Sequence, residues 1–93
     1  MGKLMRAFQG WHEPIPVKTS VYEWTGCGQK HTVYVHASAD DGSVVVEKFC
    51  NGIRHYLREF SSGDSFATWL QNDSYMRERL TPVNVTKVFN NRI

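Results

Sequence analysis

Residues 31–60 read HTVYVHASADDGSVVVEKFCNGIRHYLREF, and this stretch decides the fold. Asp41-Gly42 and Asn51-Gly52 tolerate the positive φ that two-residue type I′ hairpin turns require. They divide the stretch into three strand-like runs, 31–39, 43–50 and 53–60. With two-residue loops the register follows by counting. Ala37 faces Val46 and Val35 faces Lys48 across the first turn; Cys50 faces Ile53 and Val46 faces Leu57 across the second. Directly opposed residues share a face. One face then collects Val33, Val35, Ala37, Ala39, Val44, Val46, Cys50, Ile53 and Leu57, and is the expected core. The other collects Thr32, Tyr34, His36, Ser38, Val45, Glu47, Phe49, Arg54, Tyr56 and Arg58. A slip of one residue would scatter the aliphatics over both faces, so the agreement of the two turns specifies the register. Lys48 and Glu59 interrupt the apolar face and are expected near an edge, with their charges carried outward on long stems.

Working outward, the period changes after Phe60. Ser61 and Ser62 are helix-capping residues, Asp64 suits a first turn, and Phe66, Trp69 and Leu70 follow at i, i+3, i+4. Asn72-Asp73-Ser74 either caps a second turn of helix through Tyr75, Met76 and Leu80 or lies within one bent helix, and Thr81-Pro82 ends it, because a residue before proline avoids the helical region. These helices are expected on the aliphatic face. Residues 83–89 alternate weakly, as an edge strand does, and 90–93 are expected to fray. Upstream, 18–24 reads as a strand turned back by Gly26-Cys27-Gly28, while Pro14 and Pro16 restrict 1–16 to an edge or an extended arm. The expectation is a single α+β domain over 1–93: an antiparallel meander of about four strands with one or two short helices on one face.

The composition agrees. The chain has 93 residues, 41% hydrophobic, 22% charged and 13% aromatic, with a formal net charge of +2. Area scaling gives a folded surface of about 5,500 Å² and burial of about 64%, enough for one modest core and too little for a large cleft enzyme. No run approaches the ~18–20 apolar residues of a membrane helix, and residues 1–10 hold no long apolar stretch; a cytoplasmic location is the expectation. A charge of +2 does not by itself point to nucleic acid.

The polar sheet face is the main functional candidate. Tyr34, Phe49 and Tyr56 offer rings, His36, Arg54 and Arg58 offer donors and charge, and Glu47 lies among them. This combination suits a protein interface, where Tyr and Arg dominate hot spots, or single-stranded nucleic acid, whose bases stack on sheet aromatics. Glu47 speaks against a phosphate groove. The competing reading is structural: the N-terminal segment, with Phe8, Trp11 and Ile15, folds over this face as a second layer. Two Cys/His pairs, Cys27 with His31 and Cys50 with His55, flank turns at one end of the sheet. Their spacing is not that of a structural zinc knuckle, and the turns stand roughly 10 Å apart. Two reduced cysteines, with Cys50 packed as a small hydrophobe, are the plainer expectation, and no metal or other cofactor is expected. Cys27, His31 and Asp40 or Glu23 can be assembled into a nucleophilic set only on paper. There is no phosphate loop, dinucleotide fingerprint or HExxH. Arg77 and Arg79, with Arg6, Lys87 and Arg92, extend a basic surface or are simply solvated.

One segment, Asn51-Gly52, Arg58-Glu59-Phe60, Ser62, Phe66 and Trp69-Leu70, resembles the strand-to-helix segment of small phage-encoded anti-CRISPR proteins that inhibit type I CRISPR surveillance complexes. It covers roughly 20 of the 93 residues. The resemblance implies a compact phage protein without an active site, working in the cytoplasm of an infected bacterium. Such a protein binds a large ribonucleoprotein and blocks target DNA recruitment or a conformational step. The residues expected to make that contact are Tyr34, His36, Glu47, Phe49, Arg54, Tyr56 and Arg58. The alternative is a single-stranded nucleic-acid-binding module using the same face.

Overall fold

A computed structural model describes residues 3–8, 10 and 14–93. The elements in chain order are α1 (Lys3–Phe8), β1 (Pro16–Gly26), β2 (Gln29–Ser38), β3 (Val44–Cys50), β4 (Ile53–Phe60), α2 (Gly63–Asn72), α3 (Ser74–Arg79) and β5 (Val85–Arg92), with a 3-10 turn at Pro82–Asn84. The strands form one antiparallel sheet in the order β4-β3-β2-β1-β5. The fold is thus α+β, as expected, with five strands. α2 and α3 cover one side, here the helix side, and α1 covers part of the other.

Two of the three hairpin turns match their residues. Cys27-Gly28 and Asn51-Gly52 all have positive φ, between 50° and 82°, the geometry of a type I′ turn. The β2–β3 turn is longer than the dipeptide implies. Val35 pairs with Val46 and Ala37 with Val44, two residues from the counted register. Asp41 holds this wider turn through Oδ1, which accepts from the Ser43 backbone N–H (3.0 Å) and hydroxyl (2.7 Å), while Ala39 N–H reaches the Pro16 carbonyl (3.1 Å). Ala39 is therefore exposed in the turn. Because the shift is even, every side chain of β2 and β3 keeps its expected face.

The second hairpin breaks the expectation. Cys50 pairs with Ile53 and Phe49 with Arg54, but Lys48 pairs with Tyr56, so His55 is an extra residue, a β-bulge. From Tyr56 onward β4 is turned over. Tyr56, Arg58 and Phe60 lie on the helix side, and Leu57 on the α1 side. Packing shows why this register holds. Tyr56 and Phe60 join Val33, Val44, Val46 and Met76 under the helices, whereas Leu57 packs with Leu4, Val17 and Val45 under α1. Phe60 meets Phe66 at 5.6 Å and Trp69 at 5.2 Å between ring centroids. Without the extra residue Phe60 would face away from α2 and Glu59 towards it. Ile53, expected in the core, is 70% exposed at the start of edge strand β4.

The helices follow their signals. Ser62 caps α2 by accepting from the Ser65 N–H, and Asp73 caps α3 by accepting from the Met76 N–H at 3.0 Å. At the N-terminus Leu4, Ala7 and Phe8 form an i, i+3, i+4 stripe, and Leu4 is fully buried. The expected extended arm is thus helical over Lys3–Phe8 and becomes strand from Pro16. β1 is not at the edge, since β5 pairs along its outer side. The expected fraying of 90–93 does not occur: β5 runs to Arg92, and Ile93 exchanges both backbone hydrogen bonds with Ile15 at 2.8 and 3.0 Å.

Candidate functional site

On the α1 side the sheet carries a chain of polar side chains, one from each strand in sheet order: Asn91, Thr19, His36, Glu47 and Arg54. Thr19 Oγ1 donates to Asn91 Oδ1 at 3.0 Å and lies 2.9 Å from His36 Nδ1. His36 Nε2 donates to Glu47 Oε1 at 2.8 Å, and Arg54 Nη1 donates to Glu47 Oε2 at 3.3 Å. With the hydroxyl hydrogen of Thr19 directed at Asn91, Oγ1 is left to accept from Nδ1. Burial makes satisfaction matter, since Thr19 is 0% and His36 6% exposed. Burial alone raises the Glu47 carboxyl, but the hydrogen bonds and charges of His36 and Arg54 outweigh it and hold the group below its ordinary value.

Thr19, His36 and Glu47 stand in the order nucleophile, base, acid that hydrolases use. Here the hydroxyl is fully buried and committed to Asn91, so it presents no nucleophile to a substrate. What the chain does is orient rings. His36 lies between Phe8 of α1 (centroids 5.2 Å apart) and Tyr34 (6.0 Å, planes 3° apart), and Tyr34 meets Phe49 edge-to-face at 5.5 Å. Phe8 covers one end of this row. Tyr34 and Phe49 at the other end are only partly buried, and Arg54 has a 49% exposed side chain.

Five of the seven expected contact residues, Tyr34, His36, Glu47, Phe49 and Arg54, are therefore together. The other two are not. The His55 bulge carries Tyr56 and Arg58 to the opposite side, where Arg58 lies over the Tyr56 ring (5.3 Å) and the Trp69 ring (5.8 Å). The second-layer reading also holds in part, since α1 covers the end of this face where Val17, His36, Val45 and Leu57 stand; Trp11 lies outside the described residues. Thr19 and Asn91 were missed in the sequence. The signal for Thr19 was its place between Val17 and Val21 in an alternating run, which puts a hydroxyl on an inward face; Asn91 carried none, because 90–93 read as a tail.

The Cys/His residues go separate ways. Cys27 is exposed at a turn tip and His55 exposed at the bulge. His31 and Cys50 face each other, but His31 Nδ1 lies 2.9 Å from Lys48 Nζ, and the Cys50 thiol donates to Gln29 Oε1 at 3.3 Å. Among the described residues no group of three His, Cys, Asp or Glu is placed to hold a metal ion. Glu23 points to the α1 side and pairs with Lys30 at 3.6 Å, away from Cys27 and His31. Among the described residues no helix is long and apolar enough to cross a membrane. No family model, no curated protein and no solved structure matches the chain.

Proposed function

We propose that the chain is a non-enzymatic binding protein that inhibits a larger assembly by occupying its surface, through the Tyr34, Phe49 and Arg54 end of the α1 face. The observation that carries this is the five-residue polar chain. It fixes Glu47 and Arg54 beside two partly buried rings, so a recognition patch of aromatic and guanidinium groups stands pre-ordered and loses little side-chain freedom on binding. The partner class follows from the strand-to-helix resemblance. The Asn51-Gly52 turn, β4 and the Ser62-capped α2 form the unit that carries it, and the assembly proposed is a type I CRISPR surveillance ribonucleoprotein in a phage-infected bacterium. Occlusion of its DNA-recruiting surface is the mechanism. Glu47, held ionised in the middle of the patch, disfavours phosphate contact here and favours a protein surface.

The test is retention of assembled type I complexes on the immobilised protein after nuclease treatment. Stoichiometric capture that survives moderate salt, and that falls at least ten-fold in the Tyr34→Ala, Arg54→Ala pair with its melting midpoint within a few degrees of wild type, is expected. Capture that is lost with nuclease, or that is unaffected by the pair, refutes the reading.

A further inference from the structure

The opposite side of the sheet has a different electrical character. All three strand glutamates, Glu23, Glu47 and Glu59, point to the α1 side. On the helix side the strands contribute Lys18, Lys48, Arg58 and Arg92 with no strand carboxylate, and α3 adds Arg77 and Arg79 in its last turn. Among the described residues none of these six cations is paired with a carboxylate. The helices bring three carboxylates to this side: Asp64 in the first turn of α2, Asp73 at the α3 cap, and Glu78, exposed between the two arginines.

Lys48 is the deepest of them. It is 7% exposed, donates to two neutral acceptors, His31 Nδ1 (2.9 Å) and the Phe49 carbonyl (3.1 Å), and stands 5.6 Å from the Trp24 ring centre. A charge so placed projects a positive potential onto the surface above it. At that surface Trp24 Nε1 donates to the Tyr75 hydroxyl at 3.1 Å, with the rings edge-to-face, so Tyr75 is held in place although 46% exposed. Arg79 lies 5.0 Å from the centre of the Tyr75 ring, and its Nε is buried with no hydrogen-bond partner.

We propose that this corner, centred on Tyr75 and Arg79, is a second site, and that it binds single-stranded nucleic acid. Phosphate oxygens accept from Arg79 and Arg77, Lys48 adds attraction from below without contact, and a base stacks against Tyr75. An anionic peptide would match the charge but has no use for the fixed ring. A base has a π-face whatever its sequence, and cations interleaved with aromatics are what single strands require.

Fluorescence anisotropy of labelled dT20 and rU20 with the purified full chain, between 50 and 300 mM salt, tests this. Expected is binding that weakens steeply with salt, a slope shallower by about 0.7 in Arg79→Gln, and roughly ten-fold weaker binding in Tyr75→Ala. Tyr75→Phe keeps the ring but removes the hydroxyl that Trp24 holds, and is expected to lose clearly less affinity than Tyr75→Ala, which separates stacking from a loss of folding. No binding at 50 mM salt, preference for duplex, equal displacement by polyglutamate, or indifference to both Tyr75→Ala and Arg79→Gln overturns the proposal. Purified components are used throughout, so failure here is separate from failure of the nuclease-resistant capture above.

Discussion

Glu47→Gln isolates one charge in the polar chain that crosses the sheet. The change keeps the size of the side chain and an oxygen for His36 Nε2, but it turns a charge-assisted hydrogen bond between two nearly buried groups, with side chains 7% and 13% exposed, into a neutral one. Hydrogen bonds to charged groups contribute about 1.5–3 kcal/mol and neutral ones about 0.5–1.5, so the loss is about 1–1.5 kcal/mol. The arm to Arg54 adds little, because that guanidinium is half in solvent and screened. For a chain of this size about 1 kcal/mol moves the melting midpoint by roughly 4–8 °C. The pH dependence carries a sign. The folded Glu47 carboxyl is held below its ordinary value of 4.5, so its stabilisation is complete above that value and disappears as pH falls through the depressed folded one. Wild type and Glu47→Gln are therefore expected to differ most at pH 6–7 and to converge under acid. Urea unfolding followed by circular dichroism at several pH values measures this. A gap that is absent at pH 7, or equally wide at pH 7 and pH 3, refutes the account.

His55 matters by its presence and not its identity. His55→Ala, at an exposed position, is expected to shift stability by no more than about 0.5 kcal/mol, whereas deleting His55 forces Tyr56 and Phe60 out from under the helices and is expected to abolish cooperative unfolding; calorimetry distinguishes the two. Leu4→Ala empties a fully buried position beneath a six-residue helix and is expected to cost about 2–3 kcal/mol, with hydrogen exchange rising first in residues 3–8. An unchanged exchange pattern there would mean that α1 is not held by Leu4.

Most of the fold was legible because two turn dipeptides and a period-2 pattern agreed. The β2 and β3 faces were right even though the first loop is two residues longer than counted, since an even shift preserves the pleat. The bulge was not legible, because a single inserted residue leaves no mark of its own. Its trace was indirect. Glu59 stood on the wrong face, and Phe60 fell opposite to the Phe66 and Trp69 that it should meet; moving β4 by one residue after Arg54 removes both conflicts at once. Lys48 was noticed as a misplaced charge, but the edge explanation failed because β3 is an inner strand. Its actual support, His31 and Trp24, comes from β2 and β1, and their distance in the chain hid it.

The bulge also sorts the chemistry. In a straight β4, Arg54, Tyr56 and Arg58 would stand in one row beside Glu47, and a single mixed face would have to serve every partner. The extra residue leaves Arg54 with Glu47 and sends Arg58 across to the side with Lys48, Arg77 and Arg79, where no strand carboxylate opposes it. One side therefore holds Glu23 and Glu47 in pairs with cations, with Glu47 next to rings, which suits a protein surface whose recognition depends on geometry. The other holds arginines against aromatic faces, which suits a flexible polyanion whose recognition depends on charge and stacking. A ribonucleoprotein offers both kinds of surface. A chain with one of each side can touch its protein and its single strand at once, provided that the two contacts weaken separately, the first with Tyr34 and Arg54 and the second with Tyr75 and Arg79.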